Sequence, residues 1–123
     1  MHQVVTNAVH EVAPDCKICM QILHAGPLAP TPKAVSPSGV KSRIKRTVPI
    51  ALTEEGIETT ITEFVRCATL AQKAGYDGVE IIGSAGYLVS TFLLEKTNKR
   101  TDKWGGSYAN RMRFPLEIVT RVR

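Results

Sequence analysis

Two stretches of this sequence place proton-transfer and amide chemistry where a chain would present it rather than hide it. In "DGVEIIGSAGYL", residues 77–88, an apolar run with strand-forming residues stops at glycine, and Tyr87 follows Gly86. A phenol, with a pKa of about 10, stays protonated at neutral pH yet can give its proton to a developing carbanion. Packed under its loop with the hydroxyl on backbone, the same residue would be purely structural, and the residues alone leave both readings open. In "KICMQILHAG", Gln21 and His24 close a second apolar run. An amide donates and accepts at once, which suits a ligand edge of mixed polarity or the backbone of a loop.

Other reactive groups point to less. Lys41, Arg43, Lys45 and Arg46 in "VKSRIKR" form the densest basic patch of a chain with 16 basic and 11 acidic residues, net charge +5. Such a patch could hold phosphates of a nucleic acid or of a nucleotide-bearing substrate. No aromatic residues interleave with it, so a solvated loop and no nucleic-acid partner are expected. Cys16 and Cys19 make a C-x-x-C with no second pair. Residues three apart on a strand point to opposite faces, so free thiols in a reducing compartment are expected, and no metal.

The elements that must position these groups can be read from pattern. Ile18–His24 reads as a strand, nearly continuous in apolar residues as a parallel strand covered on both sides would be. Gly26 to Pro49 is a proline-rich loop, and connections of that length are often functional. A helix follows over Thr53–Ala74, with Thr53 as N-cap, Glu54 and Glu55 in its first turn and Gly75 past its end. Its apolar face carries Ile57, Ile61, Phe64, Val65, Ala68 and Ala71. A second strand spans Gly78–Gly83, and "SYANRMRFPLEIVTRVR" reads as a helix capped by Ser107. Pro115 inside it predicts a kink or restart near Phe114. An earlier piece, Val4 to Glu11, fits the end of another helix.

Strand–helix–strand order with short turns predicts two adjacent parallel strands. Alternation puts Gln21 and Glu80 on one face, where Glu80 needs a partner; Lys17 is the expected one. The composition, 43% hydrophobic and 22% charged, is that of a soluble globular domain. No apolar run reaches the ~18 residues of a membrane span, and the N-terminus lacks the pattern of a secretory signal. Cytoplasm is the expected location, with no membrane partner.

"QILHAG", "AGYDGVEIIGSAGYLVSTFL" and "TNKRTDKWGGSYANRMRFPLEIV" together resemble the Old Yellow Enzyme family of flavin oxidoreductases. The likeness is greatest to the barrel domain of bacterial-type NADPH-dependent 2,4-dienoyl-CoA reductases. It implies an α/β fold, a partial TIM (β/α)8 barrel: roughly its central half, residues 1–123, with parallel strands and incomplete at both ends. It further implies FMN as cofactor, NADPH or NADH as hydride donor, and an enoyl or dienoyl small-molecule substrate with an activated alkene. By resemblance Gln21 hydrogen-bonds the FMN pyrimidine, Tyr87 is the catalytic proton donor, and Lys96 stands for an arginine that contacts substrate. Lysine there keeps the charge and loses the bidentate fork. The block around Trp104–Gly105–Gly106, with Arg100, Asp102, Asn110 and Arg111, is expected to shape the loop and helix entry. Ala85 replaces an acidic residue usual in dienoyl-CoA reductases, and Pro27 a usual basic one. By itself the segment is expected to be inactive.

Overall fold

In the computed structural model, which describes all 123 residues, two four-residue strands lie side by side against a layer of helices. Strand β1 (Cys19–Ile22) pairs in parallel with β4 (Gly78–Ile81), in the register Cys19–Gly78, Met20–Val79, Gln21–Glu80, Ile22–Ile81. Both strands are shorter than the apolar runs suggested. The expected parallel adjacency holds.

Between them runs helix α2 (Glu54–Lys73), preceded by Thr53, whose hydroxyl accepts from the Gly56 N–H at 3.0 Å. Glu54 and Glu55 occupy the first turn, and Gly75, at φ +87°, follows the end. The face presented inward carries Ile57, Ile61, Phe64 and Ala71, all buried. These meet Met20, Ile22, Val79 and Ile81, the helix-facing side chains of the two strands. Each large apolar side chain so buried contributes about 1.5–3 kcal/mol, and the two-residue strand period leaves Cys19, Gln21 and Glu80 on the opposite, exposed face.

Helix α4 (Tyr108–Val122) packs along α2 and against the short helix α3 (Leu88–Leu93). Ser107 caps α4 by accepting from the Asn110 N–H. Pro115 lies inside α4, which runs through from Tyr108 to Val122 without the restart near Phe114 that was one of the two expected outcomes. The reason is tertiary. Phe114 and Ile118 are fully buried on either side of the proline, and Phe114 stacks on Phe92 of α3 at 4.0 Å between ring centroids. Such burial outweighs the roughly 3 kcal/mol that a proline costs in a helix interior.

Four elements were not foreseen. Helix α3 is one; the others lie in the proline-rich stretch, where β2 (Val35–Ser36) pairs in parallel with β3 (Ile50–Ala51) and a 3-10 turn spans Gly26–Leu28. Helix α1 (His2–Val12) precedes the first strand and is clipped to the end of α2 by buried Thr6, whose hydroxyl donates to the Ala74 carbonyl at 2.6 Å. No helix is long and apolar enough to cross a membrane.

Candidate active site

On the exposed strand face Gln21 and Glu80 stand directly opposite, and the Gln21 Nε2 donates to Glu80 Oε2 at 3.0 Å. Glu80 therefore takes Gln21 as its partner, not Lys17. Lys17 lies before β1, where strand alternation does not govern direction, and its ammonium reaches Asp77 Oδ1 at 3.2 Å. Asp77 also accepts from the Ile18 N–H and pairs with His10 at 2.8 Å. The Ile18 amide, then His10, hold its carboxyl well below the usual carboxylate range. That cluster ties α1 to the entrance of both strands and lies at the opposite strand end from the tyrosine loop.

His24 turns away from Gln21. Its ring lies 6.5 Å from that of Phe64 on α2, and its Nδ1 accepts the Gly26 N–H at 3.0 Å, which places the proton of the neutral ring on Nε2. Burial pulls its pKa below the ordinary 6.5. His24 shapes the turn after β1 and does not share the face of Gln21.

The tyrosine loop is fixed through its backbone. Ala85 and Gly86 take left-handed conformations, φ 59° and 77°, and Tyr87 then sits extended at the N-cap of α3. Its amide donates to the Ser84 carbonyl at 3.2 Å, and its carbonyl accepts from the Thr91 amide and the Ser90 hydroxyl. The next amide, Leu88, donates to His24 O at 3.0 Å, joining this loop to the end of β1. Contact there is so close that a Cβ on Gly26 would come within 2.8 Å of the Leu88 backbone. The half-buried Tyr87 side chain caps nothing, and its hydroxyl makes no hydrogen bond within the chain.

Lys96 is exposed and forms no ion pair. It lines a cavity of about 380 Å³ shared by the basic stretch and the residues just before Tyr87. Nothing in the spacing of Lys96 and that stretch, 50 or more residues apart, signals that they meet. Just after Lys96 in the chain comes the turn around Trp104. Buried Asn98 donates to the carbonyls of Phe92 and Trp104, both at 2.8 Å. Arg100 pairs with Asp102 and donates to the carbonyls of Pro37 and Leu52. Gly105 fits only because it lacks a side chain: a Cβ would lie 2.5 Å from the Arg100 carbonyl oxygen. Arg111 donates to the Leu93 and Gly106 carbonyls. The block is structural, as its residue types suggested.

The sequence pattern of the NADH:flavin oxidoreductase / NADH oxidase family matches residues 1–123. Similar proteins include a metal reductase of Desulforamulus reducens, 46% identical over 115 residues, covering 90% of this chain and 17% of that protein. An NADH oxidase of Thermoanaerobacter brockii is 44% identical, covering 95% and 18%. An NADPH dehydrogenase of Bacillus cytotoxicus is 41% identical, covering 89% and 32%. Among solved structures, morphinone reductase superposes with a TM-score of 0.89 at 31% identity, over 98% of this chain and 37% of that one. A 2-naphthoyl-CoA reductase complex does so with a TM-score of 0.87 at 34% identity, over 99% and 21%. The chain thus spans about a sixth to a little over a third of the length of these relatives. With the parallel strands described above, these superpositions establish a partial βα barrel.

Proposed function

Because the chain belongs to the NADH:flavin oxidoreductase / NADH oxidase family, we propose that Tyr87 protonates an activated alkene at a flavin site where Gln21 recognises the cofactor. Membership brings FMN and a nicotinamide dinucleotide, NADH or NADPH. The observation that carries the proposal is the phenol of Tyr87. Its backbone is held by hydrogen bonds on both sides, while its hydroxyl is left without a partner at the C-terminal end of a barrel strand. That end is where βα barrels build their active sites.

The donor set of Gln21 fits a flavin. One amide N–H is taken by Glu80, leaving the second N–H and the carbonyl oxygen for a pyrimidine edge that both donates and accepts. When bound, FMN would supply hydride-transfer chemistry to an alkene conjugated with a carbonyl or thioester. Tyr87 gives its proton to the α carbon: the phenolic O–H breaks, a C–H forms, and water returns the proton to the phenolate. Lys96 contributes a positive charge on the substrate side without the bidentate geometry of arginine.

An enoyl or dienoyl thioester is the substrate class we favour. Support comes from the 2-naphthoyl-CoA reductase neighbour and from the cationic cavity beside the tyrosine loop. Residues 1–123 are read as a barrel segment that other segments complete, inactive by itself. The test is stopped-flow measurement of both half-reactions in the complete barrel. Tyr87→Phe should slow alkene reduction by ~10²–10⁴-fold and leave flavin reduction by the nicotinamide nearly unchanged. Equal slowing of both would make the phenol a flavin-positioning group and overturn its role as acid.

A further inference from the structure

We propose that the cavity between the basic stretch and the tyrosine loop is a binding site for a phosphate-bearing organic ligand. Its phosphates would sit on Lys41, Arg43 and Lys96, and its organic body against Leu28, Ile44 and Leu94.

Two observations meet in this one place. The first is charge. Lys41, Arg43 and Lys96 all line the cavity, and no aspartate or glutamate does. None of the three takes part in any of the ion pairs of the chain, although Lys17, Arg66, Arg100, Lys103, Arg111 and Arg121 all do. Cations gathered on one concave surface without counter-charges repel one another and raise the local concentration of anions. The guanidinium of Arg43 can meet two phosphate oxygens at once, and the two ammonium groups act as point charges.

The second is exposed apolar surface. Ile44 is 76% exposed and Leu94 54% exposed, and both line the cavity, with Pro27 and Leu28 beside them. A bare phosphate has no use for such walls, whereas an organic body attached to it does. The volume of about 380 Å³ lies within the roughly 300–1,000 Å³ of ligand sites. Ala85 and Gly86, the residues just before Tyr87, form another part of the wall. A ligand held here by its phosphates would have its other end directed along the loop that carries the phenol. The significance of that direction rests on the proposed role of Tyr87; the phosphate site itself does not.

Two sources share this chemistry, the nucleotide tail of a thioester substrate and the phosphorylated half of the nicotinamide donor. Calorimetric titration of the flavin-free protein separates them. The probes are adenosine 3′,5′-bisphosphate for the first source, 2′-phospho-ADP-ribose for the second, and adenosine as the uncharged control. At least one phosphorylated probe should bind at least about tenfold more tightly than adenosine, the tighter of the two naming the source. The double substitution Lys41→Ala/Arg43→Ala should weaken it about tenfold or more, and Lys96→Ala should weaken it too, with unchanged circular dichroism. Equal binding of adenosine would overturn the proposal, as would unaltered affinity in folded variants. Tighter binding of a single-stranded oligonucleotide, with a steep salt dependence, would overturn it in favour of nucleic acid. No flavin and no turnover enter these measurements, so their failure would leave the reading of Tyr87 standing. Failure of the Tyr87→Phe kinetics would likewise leave a measured phosphate site intact.

Discussion

The turn from Asn98 to Gly106 and the loop from Gly83 to Tyr87 are both rich in glycine and polar residues, yet they use them in opposite ways. In the first, polar side chains are committed inward. Asn98 bridges two carbonyls, Asp102 is spoken for by Arg100 and the Trp104 amide, and Arg100 holds two distant carbonyls as well. In the second, only the backbone and Ser90 are committed, and the phenol is left free. Buried polar groups must be paired or they cost stability; a group intended for a substrate must be kept unpaired at a site held rigid by others. The two segments thus differ in what their side chains are committed to, although the buried indole nitrogen of Trp104 in the first also has no partner.

The sharpest way to break this contrast is Arg100→Ala. The substitution removes the Asp102 pair and strands the carbonyls of Pro37 and Leu52, and the arginine side chain is only 12% exposed. A loss of about 3 kcal/mol is expected, read as a lower urea midpoint. A variant as stable as the parent would show that the turn is not the anchor described. Next in size comes Gly26→Ala, at the seam between the end of β1 and the tyrosine loop. With φ at +56° and the Leu88 backbone 2.8 Å from the added Cβ, the expected cost is about 2 kcal/mol. It should also disturb the tyrosine loop, so kinetics and stability should fall together.

A smaller effect comes from pH. Burial lowers the pKa of His24 in the folded chain below the 6.5 of the exposed ring. The unfolded chain therefore binds the proton first, and stability should decline as pH falls through about 6.5 and level off below the folded pKa. Urea midpoints between about pH 7.5 and 5 measure this, and His24→Gln should flatten that part of the profile. The smallest expected change is the most informative for the comparison. Tyr87→Phe deletes a hydroxyl with no partner in the chain, so stability should shift by less than about 0.5 kcal/mol. A large loss would mean that the phenol belongs to the scaffold after all.

Much of the frame could be read from pattern because its signals are local. Thr53 and Ser107 cap their helices through hydroxyls three residues ahead, and Gly75 ends α2 where a left-handed residue was expected. Tyr87 and Lys96 could be singled out by resemblance; Lys96 lines the cavity whose wall includes Ala85 and Gly86, and Tyr87 itself does not line it. What escaped was set by distant contacts. Helix α3 is made of Leu-Val-Ser-Thr-Phe-Leu, whose β-branched and aromatic members carry no helical signal. It is helical because Leu88, Val89 and Phe92 are buried against α4 and its neighbours. At Pro115 the burial of Phe114 and Ile118 keeps α4 continuous, so no restart occurs there. Lys17 pairs with Asp77 and not with Glu80 because strand alternation holds only from Cys19, where β1 begins, two residues after Lys17.

Arg100 also has a consequence for the order in which the chain can be assembled on a ribosome. The carbonyls it holds belong to Pro37 and Leu52, 63 and 48 residues earlier in the sequence. At roughly 5–20 residues per second, the proline-rich stretch emerges some seconds before the side chain that fastens it exists. During that interval β2 and β3 have their own two-residue pairing and the packing of β2 on the preceding turn at Gly26–Leu28, too little to persist alone. The basic residues of the same stretch, charged and free of partners, then keep the waiting segment hydrated and mutually repelled.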